Sequence, residues 1–216
     1  MAKPVYVWEF PVRLTHWLNV LAIIVLSLTG VYIGNPFLQA PPGEGSLMAV
    51  MRFFHFVFAY GFALSFGLRV YWGFVGNPYA RWGQFFPFQP RRRKEIWGNV
   101  QFYLLLRRSA PPAVGHSATA VLSYLVLFFL FLVEIVTGFA LYSESHPPGV
   151  LWTLLGGWSL RLFSASTLRF FHHAAMWLIL AFAVIHVYIA WLNDLAEKGA
   201  GVMSSIFSGY KSPHEE

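Results

Sequence analysis

Apolar residues in this chain do not alternate, and they do not form a single stripe at helical spacing; they run in four long blocks separated by polar segments. The blocks span roughly Leu14 to Gly34, Phe53 to Val75, Ser117 to Tyr142 and Phe170 to Leu192. Each is long enough for the about 20 residues of helix that cross a hydrocarbon core. Each is predicted as a helix because only helices and closed barrels satisfy the backbone in lipid. The first block is too long for a cleavable signal and no small-residue cleavage site follows it, so it is read as retained. Two shorter segments stand apart. Glu95 to Leu106 carries Trp97, Phe102, Tyr103 and a Leu triplet, and suits an interfacial helix or a short anchoring linker. Gly149 to Leu162 is apolar but too short to span, which suits a surface helix or a docking platform for a partner.

Composition agrees with lipid as the solvent: 57% of the residues are hydrophobic and only 11% charged. The absence of cysteine excludes disulfides, thiolate-held iron–sulfur clusters and thioether-attached haem from this chain. A net charge of +6 would suggest nucleic acid in a soluble protein. Here the basic residues gather between apolar blocks, in a loop from 76 to 116 that holds Arg81, Arg91, Arg92, Arg93, Lys94, Arg107 and Arg108. The opposite loops hold Arg52, Arg161 and Arg169. The positive-inside rule therefore puts the basic loop and both termini in the cytoplasm. The expected fold is an all-α, multi-pass membrane protein, one domain over 1–216, in which four helices form a bundle.

Among the eight histidines, those near or within spans carry the chemistry, because an ionisable group in lipid is costly without a function. These are His16, His55, His116, His172 and His186; His146 and His214 fall in a loop and the tail. His172 and His186 are fourteen residues apart. That spacing returns a helix to within about 40° of the same face and separates the two imidazoles by about 21 Å. His173 is one residue out of phase. Two ligands on one face at two depths imply two cofactors stacked across the membrane. Topology then pairs His55 with His172 at the outer side and His16 with His186 at the inner side. Paired imidazoles fill both axial positions of a haem iron and suit electron transfer. Zinc prefers a compact four-ligand set, which two separated pairs do not supply.

Other ionisable groups have less definite roles. Arg169 and Arg52 precede His172 and His55 by three residues, and either could neutralise haem propionates or anchor the outer interface. Arg69 could serve either purpose at the inner side. Glu134 lies within the third span, where it suits proton handling or a hydrogen bond to a neighbouring helix.

At this point the sequence resembles a known family. The runs RLTHWLNVLAIIVLSLTG (Arg13 to Gly30) and RFFHHAAMWLILAFAVIH (Arg169 to His186) are similar to signatures of the b-type cytochrome subunit of membrane-bound nickel–iron uptake hydrogenases. The stretches from Gly115 to Glu144 and from His186 to Lys211 resemble the same family, so the likeness covers essentially the whole chain. The resemblance implies an anchor in the bacterial inner membrane for the small and large hydrogenase subunits on the periplasmic side. It implies two haems b in the bundle core, held by His16, His55, His172 and His186, with quinone as electron acceptor and His116 near the quinone. Hydrogen would be activated in the partner subunits. A cytochrome anchor for another periplasmic oxidoreductase, such as formate dehydrogenase, shares this architecture. A haem-free anchor or metal transporter is the reading from a different class. Which quinone is used, and whether the complex forms a higher oligomer, are left open by the sequence.

Overall fold

The computed structural model describes residues 3–38, 46–84, 90–104, 106–107, 118–145, 147–196 and 201–212. Four of its helices are long and apolar enough to cross a membrane. Backbone contacts divide the chain into two compact units, Trp8–Arg81 and Met1–Val7 with Trp82–Glu216. Each is built on one helical hairpin.

The first unit pairs α1 (Phe10–Gly34) with α2 (Leu47–Val75). Pro11 opens α1, where its missing N–H and fixed φ are harmless. The Ser46 hydroxyl caps α2 by accepting from the Ala49 N–H at 3.4 Å. The faces are arranged for lipid rather than water. Thr15, Ala22 and Thr29 are buried in α1, whereas Leu14, Leu18, Leu21, Ile24 and Leu28 are exposed. In α2 the buried stripe is Phe62, Ser65, Arg69 and Gly73. With apolar tails outside, small and polar residues at the interface let the backbones approach and bond. One such bond runs from the Ser65 hydroxyl to the Thr15 carbonyl at 3.3 Å. At the same end, one Glu9 carboxylate oxygen accepts from the Trp72 indole N–H at 2.8 Å and from the Asn77 N–H at 2.7 Å. That carboxylate ties the entry of α1 to the exit of α2.

The second unit pairs α4 (Ala118–Ser143) with α6 (Ala165–Ala196), and α3 (Pro90–Tyr103) packs on α4. The segment expected over Glu95 to Leu106 is thus a helix that starts earlier, at Pro90, which suits a first helical turn. Asn99 and Phe102 of α3 are buried and Trp97 is exposed, so α3 has an inner and an outer face. The Tyr103 hydroxyl accepts from the Asn193 amide at 3.4 Å, which brings the end of α3 to the end of α6. Between α4 and α6, a wide helical turn (Trp152–Gly156) leads into α5 (Gly157–Leu162). Gly156 lies so close to the Ser143 side chain that a Cβ there would collide with it, which lets this segment pack on the end of α4.

After α6 come α7 (Ser205–Ser208) and β2 (Tyr210–Lys211); Gly209 between them takes φ 89°, a value that favours glycine. The β2 strand pairs antiparallel with β1 (Val5–Tyr6), with Val5 opposite Lys211 and Tyr6 opposite Tyr210. This two-residue ladder is a small addition, absent from the expected fold, to a mostly helical structure. Strands so short carry no readable period of apolar residues, and the pairing joins opposite ends of the chain.

Candidate functional site

In the first hairpin, His55 of α2 meets Thr29 of α1, with His55 Nδ1 2.9 Å from the Thr29 hydroxyl oxygen. That hydroxyl already donates its proton to the Val25 carbonyl at 2.7 Å, four residues back in α1. It therefore accepts from His55, which puts the imidazole proton on Nδ1 and the lone pair on Nε2. His16 lies beside Thr15, whose carbonyl meets Ser65, ten residues along α2 from His55. Ten residues of helix rise about 15 Å, so the hairpin offers imidazoles at two levels. His16 is half-buried, with its ring edge-on to Trp17 at 5.0 Å.

The second hairpin repeats the arrangement. His172 of α6 meets Thr137 of α4, with Nδ1 3.0 Å from the Thr137 hydroxyl oxygen. Thr137 likewise donates to the carbonyl four residues back, Val133, at 2.6 Å. Here a carboxylate joins: Glu134 Oε2 is 2.7 Å from the same Nδ1. The His172 ring is seated against Gly138, where a Cβ would stand 3.0 Å from His172 Cε1. His173 behaves differently, since its Nδ1 lies 2.8 Å from the Arg169 carbonyl of its own helix. His186, fourteen residues further along the unbroken α6, stacks on Phe182 with ring centroids 5.6 Å apart and meets Tyr124 edge-on at 6.1 Å.

Thr29, Thr137 and Gly138 were not singled out by sequence reasoning, though a signal was present. Thr-Gly occurs at 29–30 and 137–138, and Arg-Phe-Phe-His at 52–55 and 169–172. The two hairpins thus share a short repeated pattern in which each threonine meets the histidine of its Arg-Phe-Phe-His. The arginines of the repeat are both exposed, and Arg169 lies 3.8 Å from Glu144 in a surface pair of little energetic weight. Arg69 is buried in the first unit with its guanidinium 3.5 Å from the Ala80 carbonyl. His116, His146 and His214 lie outside the described residues. Among the described residues, no group of three or more His, Asp or Glu side chains is placed to hold a bare metal ion.

The family model for prokaryotic cytochrome b561 matches residues 7–209. The chain belongs to the prokaryotic cytochrome b561 family. A relative from Azotobacter chroococcum, named a probable Ni/Fe-hydrogenase B-type cytochrome subunit, is 39% identical over 96% of this chain and 88% of its own length. Its namesake from Cupriavidus necator is 38% identical over 97% of this chain and 88% of its own. A probable Ni/Fe-hydrogenase 1 B-type cytochrome subunit of Escherichia coli is 35% identical over 96% of this chain and 90% of its own. Membership in a cytochrome b561 family implies b-type haem, and the residues present fit that group. With Nδ1 engaged by a threonine, His55 and His172 would each present Nε2 to an iron, and the missing side chain at Gly138 makes the seat for one ring.

Proposed function

We propose that the chain is the dihaem membrane anchor of a periplasmic nickel–iron hydrogenase and passes electrons from its small subunit to the quinone pool. His55 and His172 hold the outer haem, and His16 and His186 the inner one. Haem b, when bound, supplies the one-electron redox centre. The observation that carries this reading is that Nδ1 of both histidines meets an acceptor on the neighbouring helix, Thr29 in one hairpin and Thr137 with Glu134 in the other. Metal-ligating histidines characteristically donate the second ring N–H in this way. His172 rather than His173 is the ligand in this reading, because the His172 ring meets Thr137, Glu134 and Gly138 of α4 and is in phase with His186, whereas His173 is one residue out of phase.

The names of the relatives support the hydrogenase partner. The β1–β2 pairing supports both ends of the chain lying on one side of the bilayer, which four spans require. With the basic segment on that side, the positive-inside rule makes it the cytoplasm of the bacterial inner membrane. Arg169, one helical turn before His172, would meet a propionate of the outer haem, and the family resemblance assigns His116 to the quinone site.

The test is haem content and turnover in membranes that carry the whole complex. His55→Ala and His172→Ala are each expected to lose one of two haems and to abolish hydrogen-dependent quinone reduction. Reduction of a soluble dye by the attached hydrogenase should persist. Full haem content in both variants would sink the assignment.

A further inference from the structure

We propose that Glu134 tunes the outer haem through His172, its carboxylate accepting the ligand's Nδ1–H and lowering the reduction potential below the value Thr137 alone would set. The inference rests on the ligand assignment above. It begins from the repeat. Counting three residues back from the threonine gives Leu26 in α1 and Glu134 in α4. The first hairpin holds His55 against Thr29 with an apolar residue at this position. A carboxylate is therefore not needed to seat a histidine on the opposite helix.

Glu134 is also costly where it stands. It lies within a span, its side chain is only 15% exposed, and Oε1 is buried with no hydrogen-bond partner. Leucine or glutamine would be easier to bury there. What the carboxylate adds is a charged acceptor 2.7 Å from Nδ1, closer than the hydroxyl at 3.0 Å. A charged acceptor draws the Nδ1 proton more strongly than a hydroxyl does, and so makes Nε2 a stronger donor. A stronger axial donor favours the ferric state over the ferrous one. Hydrogen bonding to the axial ligand is one of the means by which a protein sets a haem potential. Glu134 is thus a positioning residue acting through His172.

The experiment is a spectroscopic redox titration, with low-spin ferric EPR, of membranes carrying the full complex with wild-type chain, His172→Ala, Glu134→Gln or Glu134→Leu. His172→Ala is expected to remove one of two b-haem components and so to identify it. Both Glu134 variants should keep two haems and move that same component to higher potential with altered g-values, leaving the other component in place. Glu134→Leu reproduces the sequence of the first hairpin, so it tests tuning without demanding a new kind of seat. An unmoved potential with unmoved g-values would overturn the proposal. Loss of the component in both Glu134 variants would overturn it too, by making the carboxylate a prop for the ring. If His172→Ala retains both components, the ligand assignment itself fails, and that outcome is separable from any result at Glu134.

Discussion

The two hairpins solve one problem with different means. In both, a histidine near the start of the second helix gives its Nδ1–H to a threonine on the first, and that threonine gives its own proton to the carbonyl four residues back. The second hairpin adds Glu134 at 2.7 Å. The comparison separates what is required to orient an imidazole in lipid from what is added to change its chemistry. A threonine suffices for the first, because its hydroxyl is satisfied within its own helix and still accepts. The carboxylate serves the second.

The largest effect that would break this comparison is expected from Gly138→Ala. The new methyl would stand 3.0 Å from His172 Cε1 and 3.6 Å from Nδ1, closer than a ring can tolerate without moving. Overpacking of this kind costs about 1–3 kcal/mol. Displacing the ring also lengthens its bonds to Thr137 and Glu134. The expected outcome is loss of most of one haem per chain, read from the haem-to-protein ratio, with the other haem retained. Unchanged haem content would mean that the ring is not seated on this glycine.

A smaller and more discriminating effect is expected from removing the threonine hydroxyls one at a time. Valine keeps the shape and the branched Cβ, so the helices are little disturbed. Outer-shell partners of metal-bound histidine are worth roughly 10–100-fold in affinity. Thr29→Val should weaken haem retention by about tenfold, towards the lower end of that range. Thr137→Val should weaken it less, because Glu134 still accepts from His172. Haem loss on titration with an apo-protein acceptor would rank the two. The reverse ranking would show that the hydroxyl, not the carboxylate, dominates at His172.

Much of this was legible in the sequence, and the gaps have physical causes. The four apolar blocks mark the long helices because lipid imposes length and hydrophobicity on each span independently. Helix ends were less legible: α2 begins at Leu47 and α6 at Ala165, ahead of their apolar blocks, because backbone bonding continues into the interface until a cap stops it. The histidines stood out as polar groups in apolar runs. Thr29 and Thr137 did not, since threonine is unremarkable in a membrane helix when it bonds its own backbone. Glu134 was conspicuous, but its partner could be named only once α4 and α6 were seen side by side. The β1–β2 ladder left no trace because it pairs residue 5 with residue 211.

The smallest effect concerns the end of the first hairpin away from His55. There Ser65 of α2 donates to the Thr15 carbonyl of α1 at 3.3 Å, next to His16. Interhelical hydrogen bonds in membranes average about 0.6 kcal/mol when removed, because the separated helices also find partners for these groups. Ser65→Ala should therefore lower the stability of the chain in detergent by about 0.6 kcal/mol. It should leave the two haems in place. If instead one haem is lost, and it is the component that survives in His172→Ala, then the packing of Ser65 on Thr15 sets the position of His16. The two ends of the hairpin would then differ in kind: the level of His55 held by a bond to the imidazole itself, the level of His16 held by the fit of one backbone against another.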